Sequence, residues 1–378
     1  MKYDLFLRSR RLCCAGLLVL GLTACAGGSS RQAATELGPD PSLLGARVAW
    51  TFATGPVDFA LDIRVNNGVL VTASSNGTVM AIEARSGSSL WRADVGARIV
   101  AGVGSDGRHA AVVTRENELV VLDAGRELWR TQLTAQVFTA PLVAGERVFV
   151  LGADRSLAAF DAQSGRRLWQ NQRPGEALVL RQSGVLMPVQ NTLVAGFSGR
   201  LVGINPSTGA ALWDAAIATP RGTNDIERLV DLVAGVARES DVVCVRAFQS
   251  GVGCVNAVRG SVMWRLPAFG AVGLQGDGQQ IYGVESDGRV IAWKLTDGQR
   301  VWESDRLRYR QLSAPLVIGR SVVVGDESGL VHWVSRADGT LLTRRTTDGS
   351  GVSVTPVLAD GTLVVVTRKG GVFGFQPE

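Results

Sequence analysis

Gly165-Arg166-Arg167-Leu168-Trp169 decides the fold of this chain, because versions of the stretch recur almost to the C-terminus. Each version follows a short apolar run that ends near an Asp or Asn, as the residues before Gly165 do at Asp161. The copies recur at intervals of roughly 40 residues, a period typical of β-propellers with four short strands per unit. The other copies occupy residues 87–91, 125–129, 209–213, 260–264, 298–302 and 339–343, and the last has Thr343 where the others have Trp.

The unit that contains Gly165 serves as a template for one blade. Its pattern predicts strand A over residues 138–143, strand B over 147–151, strand C over 157–160 and strand D over 167–170. Short polar links separate strands B and C, and the repeated Gly supplies the tight turn between strands C and D. The repeated Trp offers a large apolar area and one N–H donor, so we interpret it as packing between blades rather than as a cofactor site.

The two ends of the chain predict how the array closes. Residues 353–358, 362–367 and 372–375 read as strands A, B and C of an eighth unit without strand D. Residues 47–52, with their Trp, read as a strand D that has no strands before it. Pairing the two fragments closes the ring and removes an open sheet edge. The predicted fold is an all-β, eight-bladed β-propeller of four-stranded antiparallel blades, closed by the N-terminal strand as a single domain over residues 45–378.

The residues before this domain read as a leader and a tether. A basic beginning and the apolar run 12–22 indicate a secretory leader, because a mature membrane span needs about 20 apolar residues. Leu22-Thr23-Ala24-Cys25 looks like a bacterial lipoprotein signal, which implies removal of residues 1–24 and a lipid on Cys25. An ordinary secretory signal with an incidental Cys is the alternative. Ala26 stands where an Asp would resemble an inner-membrane retention signal, which favours the periplasmic face of the outer membrane, and the polar residues 25–44 read as a flexible tether.

Composition and charge argue against several classes of protein. With 46 Gly and only 19% charged residues, the chain suits short strands joined by turns rather than long helices or disorder. The formal net charge of +5 falls to about +2 without residues 1–24, which carry four basic residues and one acid. The sequence also lacks a basic run interleaved with aromatics, so we expect no nucleic-acid partner.

Few residues offer catalytic or metal-binding chemistry. The two His, His109 and His332, fall in strand-like segments of different units, which argues against a multi-His metal site and a Ser-His-Asp triad. Residues 102–107 match GxGxxG, but a strand pattern follows instead of a helix, so we interpret them as a hairpin turn. Acidic residues occur mainly singly at turns, without the spacing of a calcium loop. We expect no cofactor and no metal.

Cys244 and Cys254 are the two cysteines of the expected folded domain. They lie in two apparent strands, 242–248 and 252–257, around a short turn. In an oxidising compartment a cross-strand disulfide between them is one interpretation, and two buried reduced thiols are the other.

Two connections between units are longer than the rest. The longest repeat interval, from Trp213 to Trp264, contains the polar insert 219–228, with room for one helical turn. The preceding connection, 173–182, is also long. Both join strand D of one blade to strand A of the next, so they should lie side by side on one face. Insertions in repeat arrays tend to fall on the binding face.

The repeats resemble those of a family of enzymes. Units of the form Ala-x-Asp-x-x-x-Gly-x-x-Leu-Trp are similar to blades of the pyrroloquinoline quinone (PQQ) dehydrogenases, which are also eight-bladed and periplasmic. This resemblance implies a Ca²⁺ site, a catalytic Asp and often adjacent cysteines that hold the cofactor. The adjacent cysteines here, Cys13 and Cys14, belong to the leader, and the chain is shorter than those enzymes usually are. A periplasmic PQQ-dependent dehydrogenase-like enzyme is therefore the alternative function.

A closer resemblance is to the BamB family, the lipoproteins of the outer-membrane β-barrel assembly machinery. It covers the lipoprotein signal and residues 47–378, and its most specific stretches are 178–181, 224–231 and 325–333. The resemblance implies a non-catalytic scaffold that assists the insertion of nascent outer-membrane proteins.

The same resemblance implies a partner and a binding site. In that family a Leu-Arg element and a following acidic pair contact a periplasmic POTRA domain of the central barrel subunit, BamA. Carried over, the first element falls on Leu178, Leu180 and Arg181, and the acidic pair falls on Asp231 and Val233, of which Val233 is not acidic. Two adjacent loops with apolar residues and an Arg suit a protein–protein anchor. The alternative is that Leu178 and Leu180 pack under their own loop.

Overall fold

The computed structural model describes residues 32–175 and 178–378, and Thr35–Glu378 forms one compact unit. The predicted leader and Cys25 lie outside the described residues. Every regular element in the described ranges is a β-strand. None of these residues belongs to a helix that is long and apolar enough to span a bilayer.

Eight four-stranded antiparallel sheets form the blades of an eight-bladed β-propeller, as the repeats predict. Blades 1 to 7 are each continuous in sequence, whereas blade 8 combines both ends of the chain. The strands of blades 1 and 2 are β2 (Arg64–Asn66), β3 (Val69–Ala73), β4 (Thr78–Glu83), β5 (Ser89–Asp94), β6 (Ile99–Ser105), β7 (His109–Thr114), β8 (Glu118–Asp123) and β9 (Arg126–Gln132). Those of blades 3 and 4 are β10 (Leu142–Ala144), β11 (Arg147–Leu151), β12 (Ser156–Asp161), β13 (Arg167–Gln172), β14 (Leu186–Val189), β15 (Thr192–Phe197), β16 (Arg200–Ile204) and β17 (Ala211–Ala216).

The second half of the ring repeats this arrangement. Blades 5 and 6 contain β18 (Leu232–Glu239), β19 (Val242–Ala247), β20 (Gly251–Asn256), β21 (Ser261–Pro267), β22 (Leu274–Gly276), β23 (Gln280–Val284), β24 (Val290–Lys294) and β25 (Arg300–Ser304). Blades 7 and 8 contain β26 (Leu316–Ile318), β27 (Ser321–Gly325), β28 (Leu330–Ser335), β29 (Leu341–Thr346), β30 (Val357–Ala359), β31 (Thr362–Val366), β32 (Gly371–Pro377) and the N-terminal β1 (Ala46–Ala53).

The first and last strands close the ring. β1 pairs antiparallel with β32, and the sheet order β1-β32-β31-β30 makes the N-terminal strand the outer strand of blade 8. This pairing confirms the predicted closure. Trp50 of β1 also packs on Gly87 of blade 1, and its Nε1 donates to the carbonyl of Ala84 at 2.9 Å. The N-terminal strand therefore completes one blade and contacts the next.

In blades 3 and 8 the innermost strand is shorter than the sequence pattern suggests. In blade 3 the pattern predicts residues 138–143, but β10 covers Leu142–Ala144. In blade 8 it predicts 353–358, but β30 covers Val357–Ala359. First strands of several adjacent blades contact each other around the axis. The apolar residues before them belong to the connections between blades.

The repeated Trp and Gly pack on each other between adjacent blades. A Cβ on Gly165 of blade 3 would lie 2.7 Å from the ring of Trp129 in blade 2, and the φ of Gly165 is +73°. This position therefore requires glycine for steric and for conformational reasons. The Nε1 of Trp129 donates to the carbonyl of Ala162 in blade 3 at 2.8 Å. The same packing joins Trp91 to Gly125, Trp169 to Gly209, Trp213 to Gly260, Trp264 to Gly298 and Trp302 to Gly339.

The repeat without a Trp lies next to the blade without a C-to-D turn. A Trp at position 343 in β29 would need the turn between strands C and D of blade 8 as its packing partner. Blade 8 has no such turn, because β32 ends at Pro377 and its strand D begins at Ala46. Thr343 is buried instead, and its Oγ1 donates to the carboxylate of Asp40 at 3.1 Å.

Residues 35–44, expected to be part of a flexible tether, lie against blade 7. The N–H of Leu43 donates to the carbonyl of Leu342 at 2.8 Å, and the carboxylate of Asp40 accepts from the N–H of Arg344 at 3.1 Å. This end of the expected tether is therefore held to the propeller. Arginine side chains donate to its carbonyl groups: Arg310 to Thr35, Arg344 to Leu37 and Gly38, and Arg320 to Leu43.

The hydrophobic core lies between the faces of adjacent blades. Phe149 and Leu157 of blade 3, for example, pack in one cluster with Leu193 and Val202 of blade 4, and all four are buried. Full burial of one such side chain stabilises the fold by about 1.5–3 kcal/mol.

Cys244 and Cys254 are fully buried partners in the β19–β20 ladder, and a disulfide joins them. The structure thus has the first of the two arrangements that the sequence left open. The bond lies inside blade 5, where it links neighbouring strands of the same sheet.

The GxGxxG match also has a structural explanation. Gly102 and Gly104 lie within β6, whereas we expected the whole stretch to be a turn; the hairpin turn follows Ser105. A Cβ on Gly104 would lie 2.0 Å from the carbonyl oxygen of Pro141, directly before β10 of the next blade. Close packing between blades 2 and 3 therefore explains why this residue is glycine.

Candidate functional site

The two long connections meet on one face of the propeller. Residues 173–185 join β13 to β14, and residues 217–231 join β17 to β18. The N–H of Leu180 in the first connection donates to the carboxylate of Asp231 in the second at 2.9 Å. The connections therefore lie side by side, as predicted. We refer to Leu178, Leu180, Arg181 and Asp231 as the link cluster.

The link cluster presents an apolar and a cationic side chain to solvent. Leu178 is 39% exposed and Arg181 is also exposed, whereas Leu180 is half-buried. The guanidinium of Arg181 lies over the ring of Phe138, with its Cζ 5.5 Å from the ring centroid, which favours one orientation of the long side chain. Within residues 32–175 and 178–378, Arg181 has no carboxylate partner at ion-pair distance.

Asp231 points inward rather than toward solvent. One carboxylate oxygen accepts the hydrogen bond from Leu180, and the other lies 3.6 Å from Nη1 of Arg155. Its side chain is largely buried, so its role within the molecule is to hold the loop that contains Leu180. Val233, at the second position of the carried-over acidic pair, is buried in β18 opposite Arg246 and does not reach the surface.

Arg155 is the residue that sequence reasoning missed. It lies in the B-to-C turn of blade 3, is only 6% exposed, and its Nη2 donates to the carbonyl of Leu178 at 3.4 Å. Gly175 lies against it, because a Cβ there would be 2.3 Å from the Nε of Arg155. One buried guanidinium thus contacts both connections of the link cluster.

Comparison of the repeats shows that Arg155 occupies an unusual position. The equivalent turns of blades 1, 6 and 7 have Gly77, Gly288 and Gly329 at this place, all with positive φ. Arg155 has a φ of +64°, a conformation that costs a non-glycine residue about 1–3 kcal/mol. An arginine at a glycine position of the repeat is therefore the observation that could have revealed it.

The space beneath the link cluster is too small for a ligand. The cavity lined by Phe138, Arg155, Leu180 and Asp231 has a volume of about 60 Å³. Small-molecule sites usually enclose roughly 300–1,000 Å³. The cluster is therefore better suited to contact a macromolecule through its outer surface.

The two histidines lie in different blades, each beside a carboxylate. His332 is buried in blade 7, and its Nε2 lies 2.9 Å from Oδ2 of Asp326; His109 in blade 2 lies beside Asp106. Burial opposes ionisation of Asp326, but hydrogen bonds from His332, Ser328 and the N–H of Leu330 outweigh it and lower the pKa of Asp326 to about 2. In the described part of the chain, no three His, Cys, Asp or Glu residues group as metal ligands would.

Comparison with known proteins identifies the family. A family model described as outer membrane protein assembly factor BamB matches residues 75–304. A protein of Burkholderia pseudomallei with the same description is 34% identical over 373 residues, which cover 97% of this chain and 97% of that protein. The chain belongs to the BamB family. The crystal structure of BamB from Moraxella catarrhalis matches 88% of this chain and 99% of its own, with a TM-score of 0.80 and 23% identity.

The likeness to PQQ enzymes is one of fold. The quinohemoprotein alcohol dehydrogenase of Comamonas testosteroni matches 91% of this chain and 79% of its own, with a TM-score of 0.67 but only 14% identity. The dehydrogenase alternative is therefore less well supported than membership of the BamB family, whose named relative matches almost the whole chain at 34% identity.

Proposed function

We propose that this protein is a non-catalytic scaffold subunit of the outer-membrane β-barrel assembly machinery. Its link cluster binds a POTRA domain of the central barrel subunit, BamA, and a lipid on Cys25 holds it at the periplasmic face of the outer membrane. In that position it assists the insertion of nascent outer-membrane proteins. Family membership supports this role, because the relatives are named as outer membrane protein assembly factors.

The hydrogen bond between Leu180 and Asp231 is the observation that best supports this binding site. Together with Arg155, it holds residues 178–182, which lack regular secondary structure, with Leu178 and Arg181 exposed. A loop that is already ordered loses less conformational entropy on binding. Apolar residues and arginines of this kind often provide most of the free energy of binding at protein interfaces.

The two exposed side chains define what the partner must offer. Leu178 requires an apolar pocket, and Arg181 requires an acidic group or a carbonyl beside that pocket. Asp231 acts by holding the loop rather than by touching the partner. A non-acidic residue at Val233 is compatible with this role, because that side chain lies inside blade 5.

A charge reversal at Arg181 tests the proposal. Arg181→Glu should reduce the BamA that co-purifies from solubilised outer membranes by at least tenfold, with an unchanged thermal unfolding midpoint. Arg259→Glu is the matched control, since Arg259 is an exposed arginine in the C-to-D turn of blade 5, on the opposite face. Parental amounts of BamA with Arg181→Glu would reject the assignment.

A further inference from the structure

The next connection around the ring, residues 268–273 between β21 and β22, exposes an aromatic ring. Phe269 is 59% exposed, whereas its neighbours Ala268 and Gly270 are buried. Burying a Phe side chain would stabilise the protein by about 1.5–3 kcal/mol. The ring of Phe269 nevertheless faces outward between two buried residues.

A buried ion pair holds this connection in place. The N–H of Phe269 donates to the carboxylate of Glu285, which also pairs with Nη1 of Arg246 at 2.9 Å. Arg246 is fully buried, and Gly270 packs on it, because a Cβ there would lie 2.1 Å from its Nη1. Buried ion pairs contribute little net stability compared with apolar residues of similar volume. The pair therefore makes more sense as a device that fixes the conformation of residues 268–270.

The link cluster has the same construction. There the buried arginine is Arg155, the carboxylate that accepts a loop N–H is that of Asp231, and Gly175 packs on the guanidinium. The exposed apolar side chain is Leu178. Two connections of the propeller thus use a buried arginine, a carboxylate and a glycine to hold one apolar side chain in solvent.

The two constructions are in direct contact. The Nε2 of Gln182, one residue after Arg181, donates to the carbonyl of Ala271 at 2.8 Å. The hydrogen bond joins the connection after blade 3 to the connection after blade 5. Leu178, Arg181 and Phe269 therefore lie on two connections that this hydrogen bond links, and we call the exposed side of these connections the paired-link surface.

We propose that the paired-link surface as a whole binds the partner domain of the link cluster, and that Phe269 is its second apolar anchor. This inference rests on the proposed function. A specific interface covers about 800 Å² on each partner and 20–30 residues, far more than the link cluster provides. The partner surface must therefore extend beyond Leu178 and Arg181. Its chemistry is that of a folded domain with two apolar depressions, one of them beside an acidic group.

The test compares full-length, lipidated variants for affinity to full-length BamA in detergent. Phe269→Ala should weaken binding at least tenfold, and Phe269→Leu should recover much of that loss, because an apolar anchor remains. Val258→Ala is the control, since Val258 is 51% exposed in the C-to-D turn of blade 5 on the opposite face. Thermal unfolding of all variants should match that of the parent.

The outcomes separate this inference from the proposed function. If Phe269→Ala binds BamA like the parent while Arg181→Glu does not bind it, the role proposed for the paired-link surface is wrong and the proposed function stands. If neither change weakens binding, both are wrong. If Phe269→Ala weakens the binding of an unfolded barrel segment but not that of BamA, Phe269 contacts a different partner and the inference is overturned.

Discussion

The N–H of Leu180 and the carboxylate of Asp231 form a hydrogen bond of 2.9 Å between residues 51 positions apart in sequence. Neither residue lies in a strand, so the conformation of this surface depends on contacts between connections of neighbouring blades. Arg155 reinforces the contact from a third element, the B-to-C turn of blade 3. The conformation of the site therefore depends on several elements of the ring rather than on one loop.

Arg155→Gly should loosen the site while leaving the fold intact. Glycine relieves the positive φ of this turn position but removes the side-chain contacts with Leu178 and Asp231. We expect faster hydrogen exchange at the Leu180 amide and weaker BamA binding, with a change in global stability of no more than about 1 kcal/mol. Asn117→Gly, at the equivalent turn position of blade 2 with a φ of +60°, should leave both unchanged. Parental exchange at Leu180 in Arg155→Gly would contradict this role.

Gly165→Ala should be far more damaging than the same change at Gly145. Both residues have positive φ, but a Cβ on Gly165 meets the ring of Trp129 at 2.7 Å, whereas Gly145 has nothing within 4 Å. Gly145→Ala should cost about 1 kcal/mol from backbone strain alone. Gly165→Ala should cost about 1–3 kcal/mol more, because the ring must move. Urea denaturation measures both, and equal losses would refute the packing role of the repeated glycine.

Truncation from the N-terminus should separate ring closure from the segment that precedes it. A chain that begins at residue 35 keeps β1 and the contacts of residues 35–44 with blade 7, so it should unfold cooperatively like the mature protein. A chain that begins at residue 54 lacks strand D of blade 8 and exposes the edge of β32. It should aggregate or unfold without a single transition in calorimetry. A cooperative transition at the parental temperature would disprove the closure mechanism.

Asp326 should make stability sensitive to acid. Its pKa in the folded protein is about 2, below the ordinary value of 3.8, so the ionised carboxylate stabilises the fold above pH 4. That contribution is lost as the pH falls from about 4 to 2, and the shift corresponds to about 2 kcal/mol. Between pH 5 and pH 2.5, Asp326→Asn should therefore lose less unfolding free energy than the parent. Asp225→Asn, in the exposed insert, should lose as much as the parent; a similar loss in all three proteins would rule out this role of Asp326.

Repeats and termini made most of the fold predictable. In blade 3 the pattern places strand B at 147–151, as observed, and the complementary fragments at the two ends predict the pairing of β1 with β32. The pattern predicts strand A less well, because residues 138–141, of which only Thr139 is polar, are buried or half-buried in a connection without being part of a sheet. An apolar sequence pattern indicates burial, but it does not distinguish a paired strand from a buried connection.

Two features of the molecule depend on contacts between residues far apart in the sequence, and a local sequence pattern does not show such contacts. Residues 35–44 contain Gly38 and two Pro like a linker, but Arg344, more than 300 positions later, donates to the carbonyl groups of Leu37 and Gly38. Similarly, Arg155 looks like an exposed turn residue until Gly175 and Asp231 are placed around it. The resemblance to the BamB family indicated Leu178, Leu180, Arg181 and Asp231, and the structure adds that Asp231 faces inward.

Photo-crosslinking at position 178 shows directly whether Leu178 contacts the partner domain. A photoreactive phenylalanine analogue placed at Leu178 in the full-length protein, in cells, should give a covalent adduct with the POTRA region of BamA. The same analogue at Val258, which is more exposed than Leu178 and lies on the opposite face, should give none. We expect an adduct at position 178 that disappears when Arg181→Glu is added. BamA adducts at 258 with none at 178 would contradict it.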